Sequence, residues 1–328
     1  MTLGDLLNHK LLVVSGKGGV GKTSVASCLG LIASRHGKKT LIAEVNAAER
    51  ISELFGVPPI GYQETQLAQN LYAINVDPRS AFEEYVVEQI HSKRLFSLVF
   101  ENRFVRAFLD ATPGLNELLE IGKIWSLSER DRDEEGNPKY DLVIIDAPAT
   151  GHGLALLNVP RVVTHAVRVG PLKTKAEAIM KLIQDSKKTL LLIVTLAEEM
   201  PVNEALEMIQ SAKTTVGVKT GPVFMNALYP PRLSETEGKE VRSKLKNFEE
   251  EDWYPSFDHA VMAYQKKFML QNFYLNKLKL GLGRQDIVEL PYIFRPHYDR
   301  NAIEQLAESL QAAFLEQPQY LEKKRRRR

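Results

Sequence analysis

Apolar residues first gather at Lys10–Ser15, KLLVVS, a run rich in β-branched side chains that predicts a buried strand. Lys22–Arg35 follows with good helix formers and with Gly37 placed to end it, which predicts a helix. Thr40–Val45 predicts a second strand and Leu71–Val76 a third. Over about 79–130 the pattern changes to stripes at helical spacing, with Leu95, Leu98, Val99, Val105, Phe108 and Leu109, then Leu115, Leu118, Leu119 and Trp125. No strand is predicted there. After a charged loop at Arg130–Tyr140, Asp141–Asp146 reads DLVIID, a strand with nothing polar between two aspartates. Leu190–Thr195 and Gly221–Asn226 predict further strands that alternate with helical segments. Ile287–Leu290 predicts one more, before a closing helix at Arg300–Phe314. This alternation implies crossover units, so the expected class is α/β, a mainly parallel sheet with helices on both faces. The stretch 79–130 reads as an inserted helical subdomain. One domain is expected over 1–316, followed by a disordered tail at 317–328.

Composition adds limits. The 328 residues are 44% hydrophobic and 26% charged, as in globular proteins with a sizeable core. No apolar run reaches the roughly 20 residues that span a bilayer. MTLGDLLNHK lacks the basic and apolar segments of a secretory signal. Cys28 is the single cysteine, so an internal disulfide and a cysteine-built metal site within one chain are excluded. A cytoplasmic protein is expected. The net charge of +2 hides an asymmetry: Lys323, Lys324 and Arg325–Arg328 carry six positive charges, and without them it falls to −4. Such a tail suits an anionic surface, nucleic acid or lipid, and would allow peripheral membrane contact; a solvated end is the plainer reading.

Between the first strand and the first helix lies Gly16-Lys17-Gly18-Gly19-Val20-Gly21-Lys22-Thr23, a phosphate-binding loop in the context that such a loop requires. Gly18, Gly19, Val20, Gly21 and Ser24 would present backbone N–H groups to phosphate oxygens at a helix N-terminus. Lys22 would reach the β- and γ-phosphates, and Thr23 would give its hydroxyl to Mg²⁺. ATP or ADP with Mg²⁺ is the expected ligand. Asp146 ends a buried strand, where a carboxylate can hold Mg²⁺ through water. Lys17 is surplus to this scheme, and its plain reading is a solvent-facing loop lysine.

GKGGVGKT resembles the deviant phosphate loop of a group of dimeric ATPases. DAPATGHGLALL, Asp146–Leu157, is similar to the switch II segment of its arsenite-pump and tail-anchored-protein-targeting members; Pro148, Thr150, Gly151 and His152 match. The likeness runs from about residue 10 to 315 and implies a phosphate-loop NTPase fold. It implies that Lys17 crosses a dimer interface to the partner's phosphates, in the manner of an arginine finger. Weaker matches are TPGLNEL at 112–118, EEMPVNEA at 198–205 and FMNALYP at 224–230. In the last, the resemblance gives Asn226 a hydrogen bond to adenine; an asparagine capping a turn is the alternative. The loop after Leu290, PYIFRPHYD, would flank the base.

The sequence departs from this family at switch I. Aligning LIAEVNAAERISELFG, 41–56, puts Asn46 where the family has the aspartate that positions the attacking water. Ala47 and Glu49 stand at its proline and histidine. Asn46 can hydrogen-bond a water but cannot accept its proton; Glu44 and Glu49 are the nearby carboxylates. The cysteines that hold arsenite or zinc in the family are absent, so neither site is expected. No methionine lies within 79–130. The leading reading is an ATP-hydrolysing dimeric switch acting on an unidentified protein or membrane partner. The alternatives are a weakly hydrolysing subunit of a heterodimer with a paralogue, which Asn46 favours, and a surface-partitioning ATPase that uses its basic tail.

Overall fold

The computed structural model describes residues 1–45, 50–90, 114–148, 152–230, 235–248, 250–283 and 285–325. The stripe from Leu95 to Leu109, Asn46–Glu49 and Thr150–Gly151 lie outside them.

An eight-stranded sheet organises the chain in the order β3-β4-β2-β5-β1-β6-β7-β8. Its strands are β1 (Leu11–Ser15), β2 (Thr40–Val45), β3 (Thr65–Ala68), β4 (Leu71–Val76), β5 (Leu142–Asp146), β6 (Thr189–Leu196), β7 (Thr220–Leu228) and β8 (Ile287–Pro291). All neighbours run parallel except β3, which pairs antiparallel with β4. β1 is buried at every position and lies between β5 and β6, which is why it reads as an unbroken apolar run. The register sets Val14 beside Asp146, and Asp146 beside Glu44.

The helices are α1 (Leu3–Leu7), α2 (Lys22–Arg35), α3 (Arg50–Phe55), α4 (Pro78–Ile90), α5 (Leu115–Trp125), α6 (His152–Ala166), α7 (Pro171–Gln184), α8 (Glu199–Ser211), α9 (Glu235–Lys244), α10 (Tyr254–Leu282) and α11 (Arg300–Arg325). They cover both faces. Leu29 and Ile32 of α2, Ile51 of α3 and Ile303, Leu306 and Leu310 of α11 share one buried cluster with Leu12 and Val14. Ile121 and Ile124 of α5, Ile179 of α7, Val202 of α8 and Leu278 of α10 share the other with Val13 and Ile145. Each such aliphatic side chain contributes about 1.5–3 kcal/mol by leaving water. Cys28 is fully buried and its Sγ donates to the Ile303 carbonyl at 3.4 Å, joining α2 to α11; burial pushes the thiol pKa up.

The expected mainly parallel α/β sheet is present, with strands within one or two residues of their predicted limits. Three elements differ. β3 was not predicted: it has four residues with one buried side chain, Leu67, and it turns into β4 through Asn70 at φ 58°. α10 runs for 29 residues where only unspecified helical segments were expected. α11 continues past Phe314 to Arg325, so helical backbone takes in three of the six basic residues at 323–328; Leu, Glu, Lys and Arg are all good helix formers. Between β4 and β5 the described residues form α4, α5 and a π-type turn at Ser126–Arg130. Among them no helix is long and apolar enough to cross a membrane.

Candidate functional site: the phosphate loop

The loop leaves β1 and enters α2 at the C-terminal edge of the sheet, where strand ends and helix N-termini meet. Two glycines explain its path. Gly16 passes so close to β6 that a Cβ would lie 2.2 Å from the Val194 carbonyl oxygen. Gly21 is the N-cap of α2 in the left-handed region at φ 93°, which costs little only for glycine, and its Cβ would strike the Asn226 amide at 2.2 Å. No side chain caps α2, so its first N–H groups and the positive end of its dipole face the loop. That is an anion-binding end.

The predicted residues converge here. Thr23 Oγ1 donates to Asp146 Oδ2 at 2.6 Å. Asp146 is 4% exposed, and its Oδ1 accepts no hydrogen bond among the described residues. Burial raises its pKa to about 6, against the lowering effects of the Thr23 hydrogen bond, Lys22 and Arg50. Lys22 is 8% exposed and its Nζ donates to the Lys17 carbonyl at 3.1 Å. Burial lowers its pKa, Asp146 opposes this, and Arg50 adds to it. Lys17 Nζ lies 2.7 Å from Glu204 Oε1 on α8. Asn226, at the end of β7, donates through Nδ2 to the Val20 carbonyl at 2.9 Å. Gly18 and Gly19 are exposed on the loop, and Val20 is buried beneath it.

Other residues join this group: sequence reading named Glu44 and the stretches that hold Tyr229, Tyr292, Phe294 and Tyr298, but gave no role to Arg50 or Lys267. Arg50 opens α3 and acts electrostatically on both Lys22 and Asp146; only its place within the aligned stretch 41–56 hinted at this. The Tyr298 side chain lies near Ser24 in the first turn of α2, and burial raises the pKa of its phenol. Beyond Asn226, Tyr229 stacks on Tyr292 at 4.9 Å, and Phe294 stands edge-on to Tyr292 at 4.8 Å. Lys267 Nζ sits 4.2 Å from the Tyr229 ring centre. Glu44, the nearest alternative to a switch I carboxylate, is fully buried and accepts from Ile51 N at 3.3 Å. Asn46 and the side chain of His152 fall outside the described residues.

The site therefore has the parts of an anion cradle, with the buried Asp146 carboxylate and the Thr23 hydroxyl paired beneath it. The sequence model of the anion-transporting ATPase family matches residues 9–182, just over half of the chain and the whole of this loop. The chain belongs to that family. It is 33% identical over 235 residues to ATPase BagA of Mycobacterium tuberculosis, covering 68% of this chain and 66% of that protein, just under two thirds of its length. It is 26% identical over 285 residues to ATPase GET3 of Malassezia globosa, covering 75% of this chain and 82% of that one. An ATPase ASNA1 homolog from Paramecium tetraurelia is 31% identical over 170 residues, 49% of this chain and 47% of its own.

Proposed function

We propose that this member of the anion-transporting ATPase family binds and hydrolyses ATP with Mg²⁺, and works as a dimeric switch on a protein or membrane partner. The observation that carries the reading is the Thr23–Asp146 pair beneath the loop, with Asp146 Oδ1 buried and unbonded among the described residues. An orphaned carboxylate oxygen beside a hydroxyl is costly unless a cation or its water completes it. A hard cation with oxygen ligands fits that donor set. Mg²⁺ held there would neutralise the β- and γ-phosphate oxygens.

The chain's own groups would do the rest. The α2 N-terminus and loop N–H groups bind phosphate, and Lys22 exchanges the Lys17 carbonyl for a phosphate oxygen. Asn226 braces the loop, with the adenine contact as its further role, and the Tyr292 and Phe294 rings flank the base. Lys17 serves a partner subunit's phosphates. The resemblance of the GKGGVGKT loop to that of dimeric ATPases supports a reading in which the closed dimer is the working state.

A second reading has one specific support: Asn46 stands where the resemblance calls for a water-positioning aspartate. The chain would then bind ATP and turn it over slowly, as one half of a heterodimer. Calorimetric titration with ATP in Mg²⁺ and in EDTA, with a steady-state ATPase assay on the same protein, separates the cases. Mg²⁺-dependent binding with turnover supports the first, Mg²⁺-dependent binding with negligible turnover supports the second, and equal affinity in EDTA removes the Thr23–Asp146 cation site from both.

A further inference from the structure

Lys17 is fastened at both ends. Its ammonium forms the 2.7 Å ion pair with Glu204 Oε1, and its carbonyl accepts from Lys22 Nζ at 3.1 Å. The ion pair is half-shielded, with 28% of the Lys17 side chain and 31% of Glu204 exposed. Glu204 sits early in α8, and α8 leaves β6, the strand whose Val194 carbonyl packs against Gly16. The glutamate is therefore held in fixed relation to the loop by the same strand that shapes it. No phosphate or metal role calls for a carboxylate at that place.

We infer that Glu204 is a positioning residue that retains Lys17 on its own subunit and must release it before the lysine can serve a partner's phosphates. The inference rests on the crossing role given to Lys17 above. One ammonium cannot keep its close pairing with a carboxylate in its own subunit while it bonds a phosphate in another. Closure of the dimer is thus an exchange of partners, and the Glu204 pair is subtracted from what the phosphate contributes. A triphosphate offers more charge to that exchange than a diphosphate, so the glutamate biases the open form and makes closure ask for ATP. Half-exposed ion pairs are individually weak, so the bias is modest, about two- to fivefold per subunit.

The test is sedimentation of the full-length chain with Mg²⁺ and a non-hydrolysable ATP analogue, beside calorimetry of analogue binding. Glu204→Gln should reach half-dimerisation at about two to five times less analogue than wild type. Glu204→Asp, which keeps the charge, should stay nearer to wild type. In a Lys17→Ala background the Glu204→Gln change should do nothing, since the two act through one contact. A gain in association is not what simple damage to α8 would produce. The inference is overturned by an unchanged or higher requirement in Glu204→Gln, or by the same gain when Lys17 is absent. A wild-type chain that binds the analogue yet stays monomeric removes the crossing role and the retention together. A wild-type dimer that ignores Glu204→Gln removes the retention alone.

Discussion

At the phosphate loop each side chain proposed to serve a nucleotide is bonded to another element: Lys22 to the Lys17 carbonyl, Lys17 to Glu204, Thr23 to Asp146, Asn226 to the Val20 carbonyl. Along α10 the opposite holds. Met262, Met269, Phe273 and Leu280 lie on one helical face and are 36%, 61%, 61% and 85% exposed. The two regions would meet a ligand by different physics. At the loop, binding swaps one polar bond for another, so the gain is a difference between similar terms and depends on charge. On that face of α10 the side chains are apolar and offer no polar bond to swap, so any gain scales with the apolar area covered. Changes at the loop should alter binding and turnover sharply while moving stability in ways set by charge. Changes on the outer face of α10 should leave both almost untouched.

The largest effect is expected at Asn46. A general base contributes about 10²–10⁴-fold, and Asn46 can orient water without taking its proton. Asn46→Asp should raise kcat by at least about tenfold with little change in nucleotide affinity. Brisk wild-type turnover would give that work to Glu44, Glu49 or another group; an inert Asn46→Asp variant would put the strand-two loop away from the γ-phosphate. Next comes Lys22→Ala, which removes the main ammonium from the cradle. ATP affinity should fall at least about tenfold, or about 1.4 kcal/mol, by calorimetry. Unchanged affinity would break the claim that this end of the sheet works by charge. Lys17→Ala, five residues earlier in the same loop, should leave the monomer's affinity intact and weaken ATP-dependent association, read by sedimentation.

The loop was legible in the sequence because its chemistry is local. Glycines, Lys22 and Thr23 are contiguous, and the strand before them and helix after them are strongly patterned. Asp146 was legible because a polar residue closing a wholly apolar strand stands out. Glu204 was not: its partner is 187 residues away, and one glutamate in a charged helical turn carries no periodic signal. Arg50 escaped for the same reason, since its role comes from strand order, which packs α3 against α2; Tyr298 stood within the stretch expected to flank the base, with no sign of its closeness to Ser24. In the fold, β3 escaped because four residues with one buried side chain show no alternation. α10 was indistinct because its exposed and buried faces are both apolar, which blurs the period that reveals a surface helix.

Asp146 sharpens the comparison through stability. Its pKa of about 6 lies above the ordinary 3.8, so the native state holds this proton more tightly than the unfolded chain does. Ionising it therefore costs the native state above about pH 6, by about 3 kcal/mol as an upper figure, and costs nothing below about pH 4. In metal-free protein, Asp146→Asn should raise the melting temperature by several degrees at pH 7.5, and the gain should vanish towards pH 4. The same variant should lose Mg²⁺-dependent nucleotide binding. A variant that melts lower than wild type at pH 7.5 would show that the buried carboxylate is compensated by partners and that the site is not strained towards a cation.

The smallest effect is expected on the outer face of α10, and two leucines two residues apart set that face against the buried one. Leu278 is fully buried in the cluster with Val202 and Ile145, and Leu280 is 85% exposed. Leu278→Ala removes contacts on every side and leaves a cavity, so it should cost about 2–5 kcal/mol. Leu280→Lys gives up almost no buried area and sets a charge in water, so stability should stay within about 0.5 kcal/mol of wild type. ATP affinity should not move in Leu280→Lys, because that face shares no hydrogen bond with the loop. Urea unfolding of both variants checks the pair, with the slope of the transition as a control on the denatured state. A loss above about 1 kcal/mol in Leu280→Lys would mean that the exposed stripe is covered in solution. If that loss also grew with protein concentration, the cover would be a second copy of the chain, since stability that depends on protomer concentration reports association.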